Sequence, residues 1–313
     1  MNRNVRALIA PIFRLTFVAA LCIALTIMNE NFLTWTNIIN VLRQATLLVI
    51  VGLGLTAVIL TAGIDLSVGG VLALVGCTTA QLLKSGLPIP VAVLIGLAVG
   101  TAVGFLNGVM VGVIKLPPFV ATYGAKWIAE GLALLLMQGQ IIFGFPSSYR
   151  WVGVGYVGPI PVPIILTAIL VLAFDFFLTK TVVGRDIYAL GSNRDAAYYS
   201  GVSVRKITIL VYTLSGLTAG IAGLLMTARL DAAELGMGEP FLMQGIASVV
   251  MGGTSLLGGE GRVTGTVIGA IILTLVVNGL NLMGVPALWH QIVLGAVILT
   301  AVFIDLQMKK WAN

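Results

Sequence analysis

Charged and polar side chains within long apolar segments are the groups of this chain best placed to do chemistry. Asp65 and Ser67 lie in Thr61-Ala-Gly-Ile-Asp65-Leu-Ser67-Val-Gly-Gly70, where glycines separate two apolar runs. Asp65 has two interpretations: it caps a helix that begins near Ser67, or it lines a polar pathway where a helix is broken. Both keep the carboxylate away from lipid, as an acid at membrane depth requires.

Lys126 and Glu130 are the second charged candidate. They are four residues apart, so on a helix they share one face and can form an ion pair. Such a pair is either a structural link inside the protein or part of a route for a polar solute. Three further polar residues, Asn107, Gln244 and Asn278, are candidates for the same route.

Catalytic and metal chemistry have no comparable set of residues. His290 is the single histidine, and the two cysteines, Cys22 and Cys77, both lie in apolar runs. The sequence therefore predicts no metal site, no disulfide and no set of nucleophile, base and orienting group. It contains no G-x-x-x-x-G-K-S/T motif for phosphate binding. If ATP drives this protein, another subunit must bind it.

Composition places these residues in a membrane. Hydrophobic residues make up 59% of the 313 residues and charged residues 9%, whereas soluble domains have about 25% charged residues. The net charge of +6 does not indicate nucleic-acid binding, because the basic residues cluster at the ends of apolar segments without interleaved aromatics. It fits the excess of Lys and Arg in cytoplasmic loops of membrane proteins.

Ten apolar windows predict an all-α integral membrane protein with about ten transmembrane helices, since one crossing takes about 20 residues. The windows are 15–29, 41–62, 67–84, 89–114, 122–143, 158–179, 207–228, 243–258, 263–284 and 290–308. They leave no room for a soluble domain, so residues 1–313 are expected to form one membrane domain with an uncleaved first span. Basic residues near both ends predict cytoplasmic termini and an even number of spans. These residues are Arg3, Arg6, Arg14, Lys309 and Lys310.

Two glycine-rich segments relate the halves of the chain. Gly63 to Gly70 precedes Asn107-Gly108, and Gly252 to Gly259 precedes Asn278-Gly279. Spans 2–5 and 7–10 run in opposite directions, so any repeat is inverted, a common arrangement in transporters. The small residues let helices pack closely, and the two prolines mark a rigid turn after span 4. The structural candidates are Gly63, Gly69, Gly70, Pro117, Pro118, Gly252, Gly253, Gly258 and Gly259.

The longest polar interval, residues 180–206, is expected to lie in the cytoplasm. It holds seven of the 28 formal charges of the chain, and five of the seven are basic. A positive excess between two apolar runs is typical of a cytoplasmic loop.

A short helix is predicted inside this loop, over about 194–200. Ser192 or Asn193 can cap it, Asp195 falls in its first turn, and Gly201 can end it in a left-handed conformation. One side of the helix carries small residues that let another protein approach closely, so we interpret it as a docking element. The candidate contact residues are Arg194, Asp195, Ala196, Ala197, Ser200 and Gly201.

Four regions together resemble the permease subunits of bacterial ATP-binding-cassette importers of the ribose type. They are GIDLSVGGVLAL at 63–74, PPFVATYG at 117–124, GRDIYALGSNRDAAYYSGV at 184–202, and MGGTSLLGGEGRVTGTVIGA with NGLNLMGV between 251 and 285. The resemblance covers nearly the whole chain, and the combination of motifs is strongly specific.

The resemblance implies an assembly around this chain. Asp195-Ala196-Ala197 followed by Gly201 is similar to the acid-Ala-Ala-x-x-x-Gly signature by which importer permeases dock their ATPases, which implies a coupling helix. It also implies a second permease, either a copy or a paralogue, and two cassette ATPases that bind ATP and Mg. A periplasmic or lipid-anchored binding protein would deliver the solute at the bacterial inner membrane.

Departures from the family pattern leave the solute open. Many relatives carry an acid-x-acid pair where this chain has Leu242 and Gln244, Arg in place of Glu130, and Leu in place of Tyr123. Pentoses, hexoses, polyols and a furanosyl signal molecule all stay open.

We therefore expect the permease subunit, itself no enzyme, of an ATP-driven importer for a monosaccharide or similar small polar solute. The alternative is a self-sufficient secondary transporter in which Asp65, Lys126 and Glu130 couple solute movement to an ion gradient.

Overall fold

The computed structural model describes the backbone of residues 3–312 and the side chains of 16–300 and of residue 303. The described chain is mostly helical, because in lipid a helix satisfies its own backbone hydrogen bonds. The helices are α1 (Arg3–Met28), α2 (Trp35–Leu60), α3 (Val68–Lys84), α4 (Ile89–Gly112), α5 (Pro118–Met137), α6 (Ser147–Val154), α7 (Val162–Lys180), α8 (Val182–Ser192), α9 (Arg194–Tyr199), α10 (Val204–Leu230), α11 (Glu239–Met251), α12 (Val263–Leu282) and α13 (Ala287–Ala312). The short strands are β1 (Ile142–Phe143), β2 (Tyr156–Val157), β3 (Ile160–Pro161) and β4 (Ala232–Ala233).

The chain is an all-α membrane protein. Within residues 16–300, six helices, α2, α4, α5, α7, α10 and α12, are long and apolar enough to cross a membrane. The same residues also hold the apolar helix α3 and the apolar parts Thr16–Met28 of α1 and Ala287–Thr300 of α13. Each of the ten apolar windows overlaps one helix. Helix α11 has only 13 residues, which corresponds to a length of about 20 Å. The basic residues at the termini, Arg3, Arg6, Arg14, Lys309 and Lys310, lie outside the described side chains.

Two windows extend beyond the helices that they predict. The window 122–143 runs past α5, which ends at Met137 because Gln138 adopts a left-handed conformation with φ of +52°. The window 243–258 runs past α11, because the chain turns through Gly252 and Gly253. Apolar residues continue beyond both helix ends, so hydropathy alone does not locate them.

Helix α2 lies at the centre of the bundle. It packs against α7, α10, α11 and α12. Ile50, Leu53 and Leu55 are completely buried. From Ala45 to Leu60 this helix is buried and almost wholly apolar, as is typical of a helix that is covered by protein on every side.

Helices α4 and α10 pack closely through small residues. A side-chain carbon at Gly108 would lie 2.6 Å from the Cα of Ile209, and one at Gly100 would lie 2.9 Å from the carbonyl oxygen of Gly216. The glycine spacing of α4 therefore serves close helix packing, as in other membrane proteins.

The segment before α6 and the segment after α10 contact each other at the end of the bundle opposite α9. Strand β1 pairs with β4 in antiparallel register. The Asp231 carboxylate accepts from the Phe145 N–H at 2.8 Å and lies 3.5 Å from Arg150 Nη1. Two loops that the sequence presents as separate are thus joined.

Candidate functional site

Helix α9 is a six-residue helix whose first turn is capped by Asn193. The Asn193 Oδ1 accepts a hydrogen bond from the Ala196 N–H at 2.9 Å, and Asp195 lies in the first turn. Both features stabilise the N-terminal end, the first by satisfying a free N–H and the second through the helix dipole. The predicted capped helix is confirmed, with Asn193 and not Ser192 as its cap.

The other end of α9 closes through Gly201, whose φ is +87°. The N–H of Gly201 donates to the carbonyl of Tyr198, and the N–H of Val202 donates to the carbonyl of Ala197, both at 3.0 Å. This pair of bonds is the Schellman arrangement, which needs a left-handed residue at the position of Gly201. The predicted left-handed stop is confirmed.

The exposed side of α9 differs from the side that the sequence indicates. Ala196 and Ser200 are exposed, but Ala197 is only 4% exposed and faces the protein itself. Tyr198 and Tyr199 are instead exposed, with ring centroids 5.6 Å apart. A partner that reaches α9 would therefore meet two aromatic rings beside the small residues. Of the remaining predicted contact residues, Arg194 and Asp195 are also exposed.

Helix α8 connects α9 to the end of α2. A side-chain carbon at Gly191 would overlap the carbonyl oxygen of Leu60, so α8 and α2 are in direct backbone contact. The N–H of Gly259 donates to that same carbonyl oxygen at 2.9 Å. Gly258 and Gly259, with φ of +84° and +74°, let the loop between α11 and α12 reach this position.

A tyrosine on α8 adds a second link to this loop. The Tyr188 hydroxyl donates to the carbonyl of Gly261 at 2.9 Å. Burial raises the pKa of this hydroxyl, although nearby Arg262 opposes the increase. The group therefore stays neutral and keeps the proton that it donates.

Asp65 is completely buried at the start of α3. Its Oδ1 accepts from the N–H and the hydroxyl of Ser67 at 2.9 and 2.6 Å, and its Oδ2 accepts from the Ser215 hydroxyl of α10 at 2.7 Å. The bond to the N–H two residues on is the turn-forming pattern of Asp at a helix start. Asp65 thus forms a turn that leads into α3, whose N-cap is Ser67 without a side-chain cap bond, and it also links α3 to α10.

Asn107 on α4 extends this buried network. Its Nδ2 donates to the Ser67 hydroxyl oxygen at 2.8 Å, while its Oδ1 is buried without a partner among the described residues. Asp65 and Ser67, which are two residues apart, thus meet Asn107 of the next predicted span at one point between α3, α4 and α10. Within the described chain, no three His, Cys, Asp or Glu side chains come close enough to hold a metal ion.

Lys126 and Glu130 form the predicted ion pair on α5, with Nζ and Oε1 3.5 Å apart. Their side chains are 12% and 25% exposed, and the Lys126 ammonium lies 5.3 Å from the ring centroid of Trp127. The pair thus neutralises two charges that would be costly at membrane depth.

Comparison with known proteins identifies the class of this chain. Residues 37–302 match the family model described as "Branched-chain amino acid transport system / permease component". The chain belongs to this permease family. As a permease component, it is a transport subunit and not an enzyme. None of the solved structures matches the permease.

The similar proteins include permeases of sugar transport systems. The ribose import permease protein RbsC of Haemophilus influenzae is 41% identical over 252 residues, 79% of this chain and 78% of that relative. The D-allose transport system permease protein AlsC of Escherichia coli is 40% identical over 82% of this chain and 80% of the relative. The galactofuranose transporter permease protein YtfT of Escherichia coli is 37% identical over 75% and 69%. The resemblance to ribose-type importer permeases is thereby confirmed.

The glycines and prolines singled out in the permease sequence lie at close contacts and helix ends. A side-chain carbon at Gly63 would lie 2.8 Å from the Tyr212 hydroxyl, one at Gly69 2.8 Å from the Gly238 carbonyl, and one at Gly70 2.7 Å from the Lys126 carbonyl. The remaining glycines and prolines of this set lie in similar places. Gly252 contacts Gly265, and Gly253 follows α11. Gly258 and Gly259 contact α8, and Pro117 and Pro118 lie at the start of α5.

The remaining pathway candidates have different surroundings. Asn278 is 5% exposed and exchanges two hydrogen bonds with Asn37, of 3.0 and 2.7 Å. Gln244 is half-buried on α11 and lines a cavity of about 250 Å³ between α2, α10, α11 and α12. Of the candidates, only Gln244 faces this space.

Sequence reasoning missed the partners of several site residues. Asn37 lies 241 positions from Asn278, and Ser215 lies 150 positions from Asp65. No local pattern marks either residue, because a small polar side chain in an apolar helix looks the same with or without a distant partner. The exposed pair Tyr198 and Tyr199 does have a signal, since two adjacent aromatics stand in a polar loop.

Proposed function

We propose that this permease is the membrane subunit of an ATP-driven importer, and that it moves a monosaccharide or a similar small polar solute across the bacterial inner membrane. The relatives named for ribose, D-allose and galactofuranose support the solute class. The observation that carries the proposal is α9, a short helix capped at both ends that presents Asp195, Ala196 and Ser200 to the surroundings. A pentose, a hexose, a polyol or a furanosyl signal molecule fits this proposal.

The contacts of α9 explain how ATPase movement would enter the membrane. Helix α8 carries α9, and its Gly191 touches the last residue of α2 without any intervening side chain. The Gly259 N–H holds the α11–α12 loop to the same point. Closely packed interfaces move as units rather than deforming continuously. A displacement of α9 would therefore shift α2, α11 and α12 together and change access to the solute route.

The partners and cofactors follow from this role. Two cassette ATPases, each receiving one coupling helix formed by α9, would bind ATP and Mg, and this chain would bind neither. A second permease, identical or a paralogue, would complete the membrane part. A periplasmic or lipid-anchored binding protein would supply the solute at the end of the bundle opposite α9.

We also propose ten spans with both termini in the cytoplasm and with spans 2–5 and 7–10 as an inverted repeat. Helices α3 and α11 are spans 3 and 8 and hold corresponding places in the two halves. They are also unusually short, with 17 and 13 residues, and each lies beside a glycine-rich turn. Short, glycine-interrupted segments at corresponding places are typical of inverted-repeat transporters. Reporter fusions at each terminus and after α9 test the orientation, and a reporter after α9 facing the outside would overturn it.

Reconstitution into vesicles tests the transport proposal. The permease is purified together with the ATPase and the binding protein encoded beside it. Vesicles that contain this complex are expected to take up radiolabelled D-ribose or D-allose only when ATP is present on the side of the membrane that holds the ATPase. Omission of the ATPase is expected to abolish uptake. Uptake by the permease alone under a proton or sodium gradient would instead establish the ion-coupled alternative.

A further inference from the structure

The cavity lined by Gln44, Gln244, Arg229 and Thr274 has more polar groups than helix packing requires. These residues come from α2, α11, α10 and α12, and Leu47, Leu273 and Phe241 form apolar walls between them. Arg229 lies next to the last residue of the 27-residue α10, about 40 Å from the end that carries α9. The cavity is therefore close to the end of the bundle from which the solute would enter.

The two carboxamides of the cavity have no protein partner. Neither Gln44 nor Gln244 makes a hydrogen bond within the part of the chain that the structure describes, although both are half-buried. The buried amides of Asn37 and Asn278, by contrast, pair with each other. An unpaired polar group in a low-dielectric interior costs free energy. These amides are therefore expected to bind water or a polar solute that enters the cavity.

Arg229 restricts the charge of that solute. Its guanidinium is half-buried and makes one long contact, 3.5 Å from Nη1 to the carbonyl oxygen of Arg43. No carboxylate of the described residues lies within ion-pair distance of it. An unneutralised guanidinium repels sodium and ammonium ions but donates hydrogen bonds to hydroxyl groups. The cavity thus disfavours a cation.

We propose that this cavity is a binding site, inside a single permease chain, for one neutral polyhydroxylated solute of monosaccharide size. The inference rests on the proposed import function and assigns the solute a place within it. The carboxamides both donate and accept, the guanidinium donates, and the Thr274 hydroxyl can accept while it donates to Ala270. Sugar hydroxyls need both kinds of partner, and their C–H faces match the apolar walls. The volume of about 250 Å³ lies below the ~300–1,000 Å³ of drug-sized ligand sites and suits a single monosaccharide unit.

Site-specific labelling in right-side-out vesicles that hold the complete importer tests this site. Cys22 and Cys77 are first replaced by alanine, and Gln244→Cys is then introduced into this background. A charged, membrane-impermeant methanethiosulfonate reagent is expected to modify the new cysteine from outside. D-ribose or D-allose at about ten times its Kd is expected to slow the modification about tenfold, since it occupies most sites.

Met243→Cys is the matched control, because Met243 is the neighbour of Gln244, is 64% exposed and does not line the cavity. The sugar is expected to leave its labelling rate unchanged. Thr274→Cys is a second reporter on a different wall, in case Cys at 244 weakens binding. Failure of both reporters to react, or reaction without protection by either sugar, would overturn the inference.

Uptake is also measured for the parent protein, in which Cys22 and Cys77 are replaced by alanine, in the same vesicles. This measurement distinguishes failure of the inference from failure of the proposed function. If the parent imports a sugar that protects neither reporter, the importer stands and the site within the chain is rejected. If the parent imports none of D-ribose, D-allose, a galactofuranoside and a polyol with ATP, the proposed function fails and the inference fails with it.

Discussion

The N–H of Gly259 donates to the carbonyl oxygen of Leu60 at 2.9 Å, which joins the loop after α11 to the last residue of α2. Gly191 of α8 contacts the same carbonyl. Three segments that are far apart in the sequence therefore meet at one backbone atom. In the proposed importer, this contact lies between α9 and the spans that must move.

Gly191→Ala is expected to separate α8 from α2. The added methyl group would overlap the Leu60 carbonyl oxygen, and overpacking of this kind costs about 1–3 kcal/mol. We expect a lower thermal unfolding temperature of the purified permease and a loss of ATP-dependent uptake.

Gly131→Ala is the matched control for this substitution. Gly131 lies on α5, and no atom is within 4 Å of the position that its side-chain carbon would take. It is expected to unfold at the wild-type temperature or slightly above, because Ala favours a helix over Gly by about 1 kcal/mol. Equal unfolding temperatures for Gly191→Ala and Gly131→Ala would contradict the contact.

Ala196→Arg is expected to block ATPase docking while the permease stays folded. Ala196 is exposed on α9, and a large side chain there holds a partner away from the two tyrosines. We expect uptake and copurification of the ATPase to fall by at least about tenfold, which corresponds to about 1.4 kcal/mol of binding, with unchanged membrane insertion.

Ser85→Arg provides the comparison for this docking prediction, since Ser85 is exposed at the other end of the bundle. It is expected to copurify with the ATPase at the wild-type level. If Ala196→Arg also did so, α9 would not be the docking element.

Substitutions of Asp65 distinguish a structural role, as acceptor for Ser67 and Ser215, from a pathway role. Asp65→Ala leaves three buried donors of Ser67 and Ser215 without an acceptor, at about 1–3 kcal/mol for each unsatisfied group. Asp65→Asn keeps one acceptor oxygen, so the expected order of thermal stability is wild type, Asp65→Asn, Asp65→Ala. Uptake per folded Asp65→Asn permease is expected to stay near the wild-type rate. A stable Asp65→Asn permease without uptake would assign Asp65 to the pathway instead.

Asn37 and Asn278 are expected to be energetically coupled. Each amide donates to the other, so either single substitution by Leu removes two hydrogen bonds of the remaining amide, although Asn37 keeps its bond to the Phe32 carbonyl. The double substitution removes both amides. It is expected to lower the free energy of unfolding by less than the two single substitutions together, with a coupling of about 0.6–2 kcal/mol. Unfolding of the four proteins in detergent gives this coupling, and strictly additive changes would show that the pair contributes nothing.

The segment around α9 was predictable because its signals are local. Asn193, Asp195 and Gly201 act on backbone groups within a few residues, so their types and order define the helix. The Lys126–Glu130 pair was predictable for the same reason, since one helical turn brings the two charges together.

The ends of α5 and α11 and the surroundings of Asp65 were not predictable in this way. Ile142, Leu256 and Leu257 are apolar but lie outside helices, so hydropathy continues where the helix does not. Asp65 could cap or line a route, and the choice of geometry depended on Ser215, which lies in another helix.

The sequence by itself determined that this chain is an all-α membrane protein of the permease family with a capped helix in its polar loop, because composition and local capping do not depend on distant residues. Only the tertiary structure decided which side of α9 is exposed and that Leu60, Gly191 and Gly259 meet. It also decided that Gln44 and Gln244 face one cavity with Arg229. These relations arise from the packing of helices that are far apart in the chain. They cannot be inferred from the spacing of side chains within one helix.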